Sequence, residues 1–307
     1  MVQVKRSGWH YNPWPRCGKV AGMGVISVQS QVSFGHVGNS AAGFAMQWLG
    51  IEVWPVHTAL LAHHPGEGGF HGAKTAPEIV RAIFDGLQGA GAFANCQALL
   101  SGYLGSLEIG RATLAAWSEI KAASPGALFC CQPVMGDREE GVYVDGALPT
   151  FFKEEAVPAA DVVIANAFEA EVLTGVAAGD LAGARAAGTA LRRTGPSTVI
   201  VSSVPMGGDE LGTLLLSESG GWLARTPRLA VPAKGAGDLM GAVWLAGYLR
   251  DGDAVAALGL AVGAARLALE ASGSRPRGEL DLVGTAANWE GAGKRVTVEP
   301  VGADAHC

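Results

Sequence analysis

Apolar runs of strand length recur along this chain, each ending in a polar or glycine-rich stretch and most followed by a helix-like segment. No other feature restricts the fold as much. Strand–helix alternation leads to parallel strands joined by crossovers, with helices covering the sheet. The runs are Val25–Val28, Ile51–Val56, Ala98–Leu100, Ala127–Cys131, Asp161–Ala165 and Thr198–Ser203. Helical periodicity falls over 40–49, 77–87, 107–122, 151–157, 169–173 and 181–194. A strand pair (211–216 and 221–226) and two apolar helices (239–249 and 254–271) complete the pattern. Ala59–Gly72 reads as a long functional loop, and 141–146 as a hairpin excursion. The expected fold is α/β: a doubly wound, mostly parallel central sheet with helices on both faces.

No internal repeat or linker divides the chain, so one domain is expected over 23–290, with a C-terminal tail at 291–307. Residues 1–22 lack the apolar core of a signal peptide and read as a poorly ordered extension. A hydrophobic content of 49% is enough for a large core. The net charge of −6, without a basic run, argues against a nucleic-acid partner. Five cysteines, an odd number with no CxxC, read as reduced thiols of a cytoplasmic protein. No uninterrupted apolar stretch reaches about 18 residues, so no membrane span is expected.

In such sheets ligands bind beyond the carboxyl ends of the strands. The polar stretches at 29–39, 57–72, 101–106, 132–137, 166–169, 202–208 and 234–238 should therefore gather along one edge. Lys234–Met240, KGAGDLM, carries the sharpest chemistry among them. Gly235, Ala236 and Gly237 open a helix whose first N–H groups can cradle an anion. Asp238 follows in the first turn, where a carboxylate can take the proton of a hydroxyl attacking phosphorus. A plain capping arrangement accounts for the same heptapeptide.

Asp137, Asn166 and Glu169 are oxygen-bearing residues at two strand ends. The spacing of Asn166 and Glu169 suits both a hydrated Mg²⁺ and a helix capping box, and the two are compatible. Ser202 could meet a nucleotide or water. Tyr103 could pack a flat ring or cap the core. His57, His63, His64 and His71 match no metal-ligand spacing, and a histidine touching a small polar substrate fits better. Neither a GxGxxG after the first strand nor a GxxxxGK[ST] loop occurs, which leaves phosphate handling to the 235–238 turn.

SVQSQVSFGHVGNSAA, LGIEVWPVHT, SGYLGS, CQPVMGD, NAFEAEVLTG and the GAGD turn follow one another in this order. With these motifs the chain resembles the pyridoxal kinases of the ribokinase-like superfamily, over about three-quarters of its length. The resemblance implies transfer of the γ-phosphoryl group of ATP to the 5′-hydroxyl of pyridoxal, with Mg²⁺ and usually K⁺, by a homodimer. It places Asp238 as catalytic base and Gly235, Ala236 and Gly237 as anion hole. Ser30, Tyr103 and His64 fall on the vitamer side. Glu169 with Asn166 matches the element that organises Mg²⁺, and Asp137 stands at the phosphate side.

Some positions depart from the family pattern. Gln132 replaces an aspartate that bears on the phosphates and metal. Ile164 stands where a hydroxyl would meet ATP, and Ser202 where a lysine or threonine is frequent. The 58–65 segment loses an aromatic wall but keeps His64. Two rival readings follow from these changes: a kinase of hydroxymethylpyrimidine or another small alcohol, and a catalytically weak B6-binding regulatory protein.

Overall fold

The computed structural model describes residues 22–231, 234–273 and 279–302. The expected extension at 1–22 lies, Gly22 apart, outside them. In chain order the strands are β1 (Gly24–Val32), β2 (Glu52–Leu61), β3 (Gly72–Lys74), β4 (Cys96–Ser101), β5 (Leu128–Cys131), β6 (Gly136–Asp137), β7 (Gly141–Val142), β8 (Val162–Asn166), β9 (Thr198–Pro205), β10 (Glu210–Ser217), β11 (Gly220–Pro227) and β12 (Val298–Val301). A 10-stranded sheet runs β12-β11-β10-β9-β8-β5-β4-β1-β2-β3, and β6 and β7 pair separately as a hairpin.

The pairs from β2 through β1, β4, β5 and β8 to β9 are parallel. β3 and the β10–β12 edge add antiparallel strands. Helices Pro77–Gly89, Leu107–Ala123 and Leu181–Arg192 cover one face, around a core that includes Phe129 and Trp117. Helices Asn39–Trp48, Ala236–Asp251 and Ala254–Ser272 cover the other, around Trp244 and Trp289. The doubly wound α/β expectation holds.

Chain order reverses at β1: β2 lies on one side of it and β4 on the other. This is the topological switch at which an open α/β sheet leaves a crevice beyond its strand ends.

Three boundaries differ from the sequence reading. β1 continues through the polar residues to Val32, with Ser27 and Gln29 fully buried in the fold and Gln29 Oε1 without a hydrogen-bond partner there. Gln29 Nε2 donates to Ser27 Oγ at 3.1 Å, and Asn39 Nδ2 donates to the Ser27 and Gln29 carbonyls. β2 in turn runs to Leu61, with Leu60 and Leu61 in register with Gln31 and Val32. The expected 59–72 loop is thus a shorter strap between β2 and β3. In the expected tail, Val298–Val301 adds an edge strand to β11.

Helix Ala254–Ser272 is long and apolar enough to cross a membrane by length and composition. Here its buried side chains belong to the core, and it packs on helix Ala236–Asp251 and on Trp289–Gly293.

Candidate active site

A cavity of about 470 Å³ opens beyond the carboxyl ends of β1, β4, β5, β8 and β9. Helix Ala236–Asp251 points its N-terminus into it. Gly235 is the N-cap, at φ 92°, and a Cβ there would sit 2.0 Å from the His36 carbonyl oxygen. Only glycine satisfies both constraints. Its carbonyl accepts the first helical bond, from Leu239 N–H at 2.9 Å. The N–H groups of the first turn have no intrahelical acceptor by helix geometry, and the cap residue has no side chain to supply one. Gly237 lines the cavity, and a Cβ on it would meet nothing within 4 Å. Ala236, between them, is not among the residues lining the cavity, and its methyl packs on the apolar core.

Asp238 Oδ2 accepts the Gly38 N–H at 2.7 Å. Gly38 passes close to Ser30, whose carbonyl oxygen would lie 2.3 Å from a Cβ at 38. Burial pushes the Asp238 carboxyl up to about 6, against the opposing pull of the Gly38 amide. The carboxylate is thus oriented through one oxygen and faces the cavity beside the glycine turn.

On the β5 and β8 side, Asn166 and Glu169 form a capping box: Asn166 Oδ1 accepts Glu169 N–H, and Glu169 Oε2 accepts Asn166 N–H, each at 2.9 Å. Glu169 Oε1 also accepts Met135 N–H at 3.1 Å, and Asn166 Nδ2 donates to the Gly136 carbonyl. Burial, reinforced by the charge of Asp238, pushes the Glu169 carboxyl up to about 8 despite these amide donors.

Asp137 lies on the β6–β7 hairpin. Its Oδ1 accepts the N–H groups of Glu139 and Glu140, and its Oδ2 accepts from Lys234 Nζ at 3.2 Å. Burial acts upward on this carboxyl, but the Glu140 amide and Lys234 outweigh it and hold the group low. Among the described residues no three His, Cys, Asp or Glu side chains cluster as a ready-made metal site.

Gln132 is buried against the active helix. Its Nε2 donates to the Gly237 carbonyl at 3.0 Å, while its Oε1 is buried without a partner. A Cβ at Gly241 would collide with this carboxamide. Ile164 and Ser202 line the same end of the cavity. At the other end stand Ser30, Tyr103 and His64. Burial raises the Tyr103 hydroxyl. His64 Nδ1 accepts the Gly66 N–H at 3.1 Å and so caps the short turn Pro65–Glu67. His57 faces Asn39 Nδ2, and the His63 and His71 rings pack together.

Residues 118–279 match the pfkB family of carbohydrate kinases. A pyridoxal kinase PdxY of Rubrobacter xylanophilus is 41% identical over 266 residues, which cover 85% of this chain and 92% of that protein. The chain belongs to the pyridoxal kinase family. The pyridoxal kinase PdxY of Deinococcus radiodurans is 39% identical, covering 87% of this chain and 92% of its own length. The solved structure of pyridoxal kinase from Leishmania donovani in complex with ADP and pyridoxine has a TM-score of 0.85 at 28% identity, over 91% of this chain and 99% of that one.

This pyridoxal kinase family member also brings side chains to the cavity that sequence reasoning passed over. Lys234 and Glu140 are joined across it at 2.6 Å. Tyr143 comes from the hairpin, and Lys74 donates to the Gly105 carbonyl at 2.8 Å. Lys234 stood in view next to Gly235. Its partners could not be read, because they depend on how the hairpin folds over the strand ends.

Proposed function

We propose that this chain transfers the γ-phosphoryl group of ATP to the 5′-hydroxyl of pyridoxal. The observation that carries the reading is the pairing of two groups on one cavity. One is a carboxylate with a single oxygen fixed by a backbone N–H; the other is a helix start that offers uncharged donors beside it. Asp238 takes the hydroxyl proton as the oxygen attacks phosphorus. The first-turn amides of the 235–237 turn stabilise charge developing on the phosphoryl oxygens without reorganising. Ser30, Tyr103 and His64 orient the vitamer. Gln132, Ile164, Glu169 and Ser202 face the nucleotide.

The donor set fits Mg²⁺. Asp238, Glu169, Asp137 and Glu140 all line a cavity whose lysines, among the described residues, are Lys74 and Lys234, and the Glu169 carboxyl is lifted partly by the charge of Asp238. A triphosphate would be repelled there without an accompanying cation. Asp137, with Glu169 and Asn166 acting through water, would hold it. When bound, Mg²⁺ supplies neutralisation of phosphate charge. The family resemblance extends the proposal to a K⁺ requirement, a homodimer and a cytoplasmic setting.

The deciding experiment is a coupled assay of ATP with pyridoxal, pyridoxine and hydroxymethylpyrimidine, each with and without K⁺. Preferential phosphorylation of the B6 vitamers is expected. Transfer to hydroxymethylpyrimidine alone would replace the substrate, and background transfer to all three would remove the kinase reading.

Gln132→Asp tests whether the departure from the family pattern impairs the site or is built into it. The Nε2 donor to the Gly237 carbonyl would be lost, and a carboxylate would face that carbonyl instead. Charge repulsion and a lost bond should disturb the glycine turn, so kcat is expected to fall by about tenfold. A rise in kcat would show that Gln132 is a defect rather than a support.

A further inference from the structure

Lys234 immediately precedes the glycine turn, and its Nζ reaches Asp137 Oδ2 at 3.2 Å and Glu140 Oε1 at 2.6 Å. All three side chains line the cavity and are partly exposed. The two carboxylates belong to the β6–β7 hairpin, so the ion pair ties that hairpin to the residue before the glycine turn. Asp137 Oδ1 is already engaged by two backbone N–H groups. A cation approaching Asp137 must therefore compete with the lysine for Oδ2.

The charge pattern identifies what displaces it. The first-turn amides are neutral, and a polyphosphate seated on them needs a mobile positive group within reach. Among the described residues the cavity offers Lys74 and Lys234. Lys74 donates to the Gly105 carbonyl on the β4 side, beside Tyr103. Lys234 is covalently adjacent to Gly235. Partly exposed ion pairs contribute little net stability, so exchanging one carboxylate partner for a phosphate is cheap.

We infer that Lys234 is a nucleotide-phosphate-binding residue that exchanges its Asp137 and Glu140 partners for phosphate, and that this exchange frees Asp137 Oδ2 for the divalent cation. This rests on the phosphotransfer reading above. Nucleotide and metal then bind in concert: the lysine follows the phosphates, and the cation takes its place beside Asp137. A lysine that merely staples the hairpin to the turn would make a different pattern, because its loss would loosen both ligand sites together.

The test is Lys234→Gln, which keeps much of the side-chain length and removes the charge, with Lys234→Arg as its conservative companion. On the full chain, Mn²⁺ binding without nucleotide is followed by electron paramagnetic resonance. Binding of a non-hydrolysable ATP analogue is followed by calorimetry. In Lys234→Gln the analogue should bind about 10- to 100-fold more weakly, the loss of one charge-assisted contact. Mn²⁺ should bind several-fold more tightly, and Lys234→Arg should stay near the parent in both. Unchanged analogue affinity overturns the inference, as does Mn²⁺ binding that is unchanged or weaker in Lys234→Gln. Phosphoryl transfer by the unaltered chain is measured on the same preparation. Its absence would count against the kinase reading separately, whatever the two affinities do.

Discussion

Asp238→Asn is expected to lower kcat by about 10²–10⁴-fold, the range of a general base, while leaving nucleotide affinity nearly unchanged. The asymmetry follows from the geometry. The Gly38 N–H holds one oxygen of residue 238, and an asparagine oxygen can accept the same bond. The side chain therefore stays in place; it loses its basicity together with a negative charge, a loss that gives no reason for nucleotide binding to weaken. Phosphate contacts belong to the backbone amides of the preceding turn, which the substitution does not touch. Steady-state turnover and equilibrium binding of a non-hydrolysable ATP analogue separate the two effects. Unchanged turnover in the variant would refute the assignment of Asp238 as base.

The same carboxylate sets a pH dependence. Burial raises it to about 6, and a base works only when deprotonated. Activity limited by Asp238 should therefore be flat above that value. It should fall as pH drops through about 6, approaching tenfold per unit. The variant should have no such acid limb, so a parent profile flat to well below pH 6 would show that another group accepts the proton.

How much of this site could be read from the chain depends on whether a residue's partner is local. Asn166 and Glu169 are three apart, and their capping box was legible as one of two alternatives, because both partners lie within one helical turn. Gly235 was legible as a turn residue, although the His36 carbonyl that forbids a Cβ there was not. Gln132 shows the opposite case. Replacing an acid by an amide reads in sequence as a lost charge. In the folded chain the amide donates to Gly237, a residue more than 100 positions away, and the space it needs is the missing side chain of Gly241. The strand β1 was cut short in the sequence reading because Gln29, Ser30 and Gln31 look like a loop. Burial of polar side chains that bond each other, beside an Asn39 that donates to the strand's own carbonyls, escapes any hydropathy pattern.

Gly237→Ala should separate the needs of the fold from those of the chemistry. At Gly235 the two cannot be told apart, since φ is 92° and a methyl would overlap the His36 carbonyl oxygen, so an alanine there perturbs the turn itself. Gly237 has no such restriction. It lies inside helix Ala236–Asp251, and its missing Cβ would point into open space at the cavity wall. An alanine compatible with helical backbone restricts the unfolded chain, so stability should rise by about 0.4–1 kcal/mol, read as a higher Tm. The same methyl would occupy the room through which phosphoryl oxygens reach the first-turn N–H groups. Losing one such donor costs about 10²–10³-fold in kcat, and a fall of that order is expected here. A protein that becomes more stable and less active by one methyl group is what an anion cradle requires. Unchanged kcat with the same gain in stability would mean that the glycine only starts a helix, and that the phosphoryl group is received elsewhere.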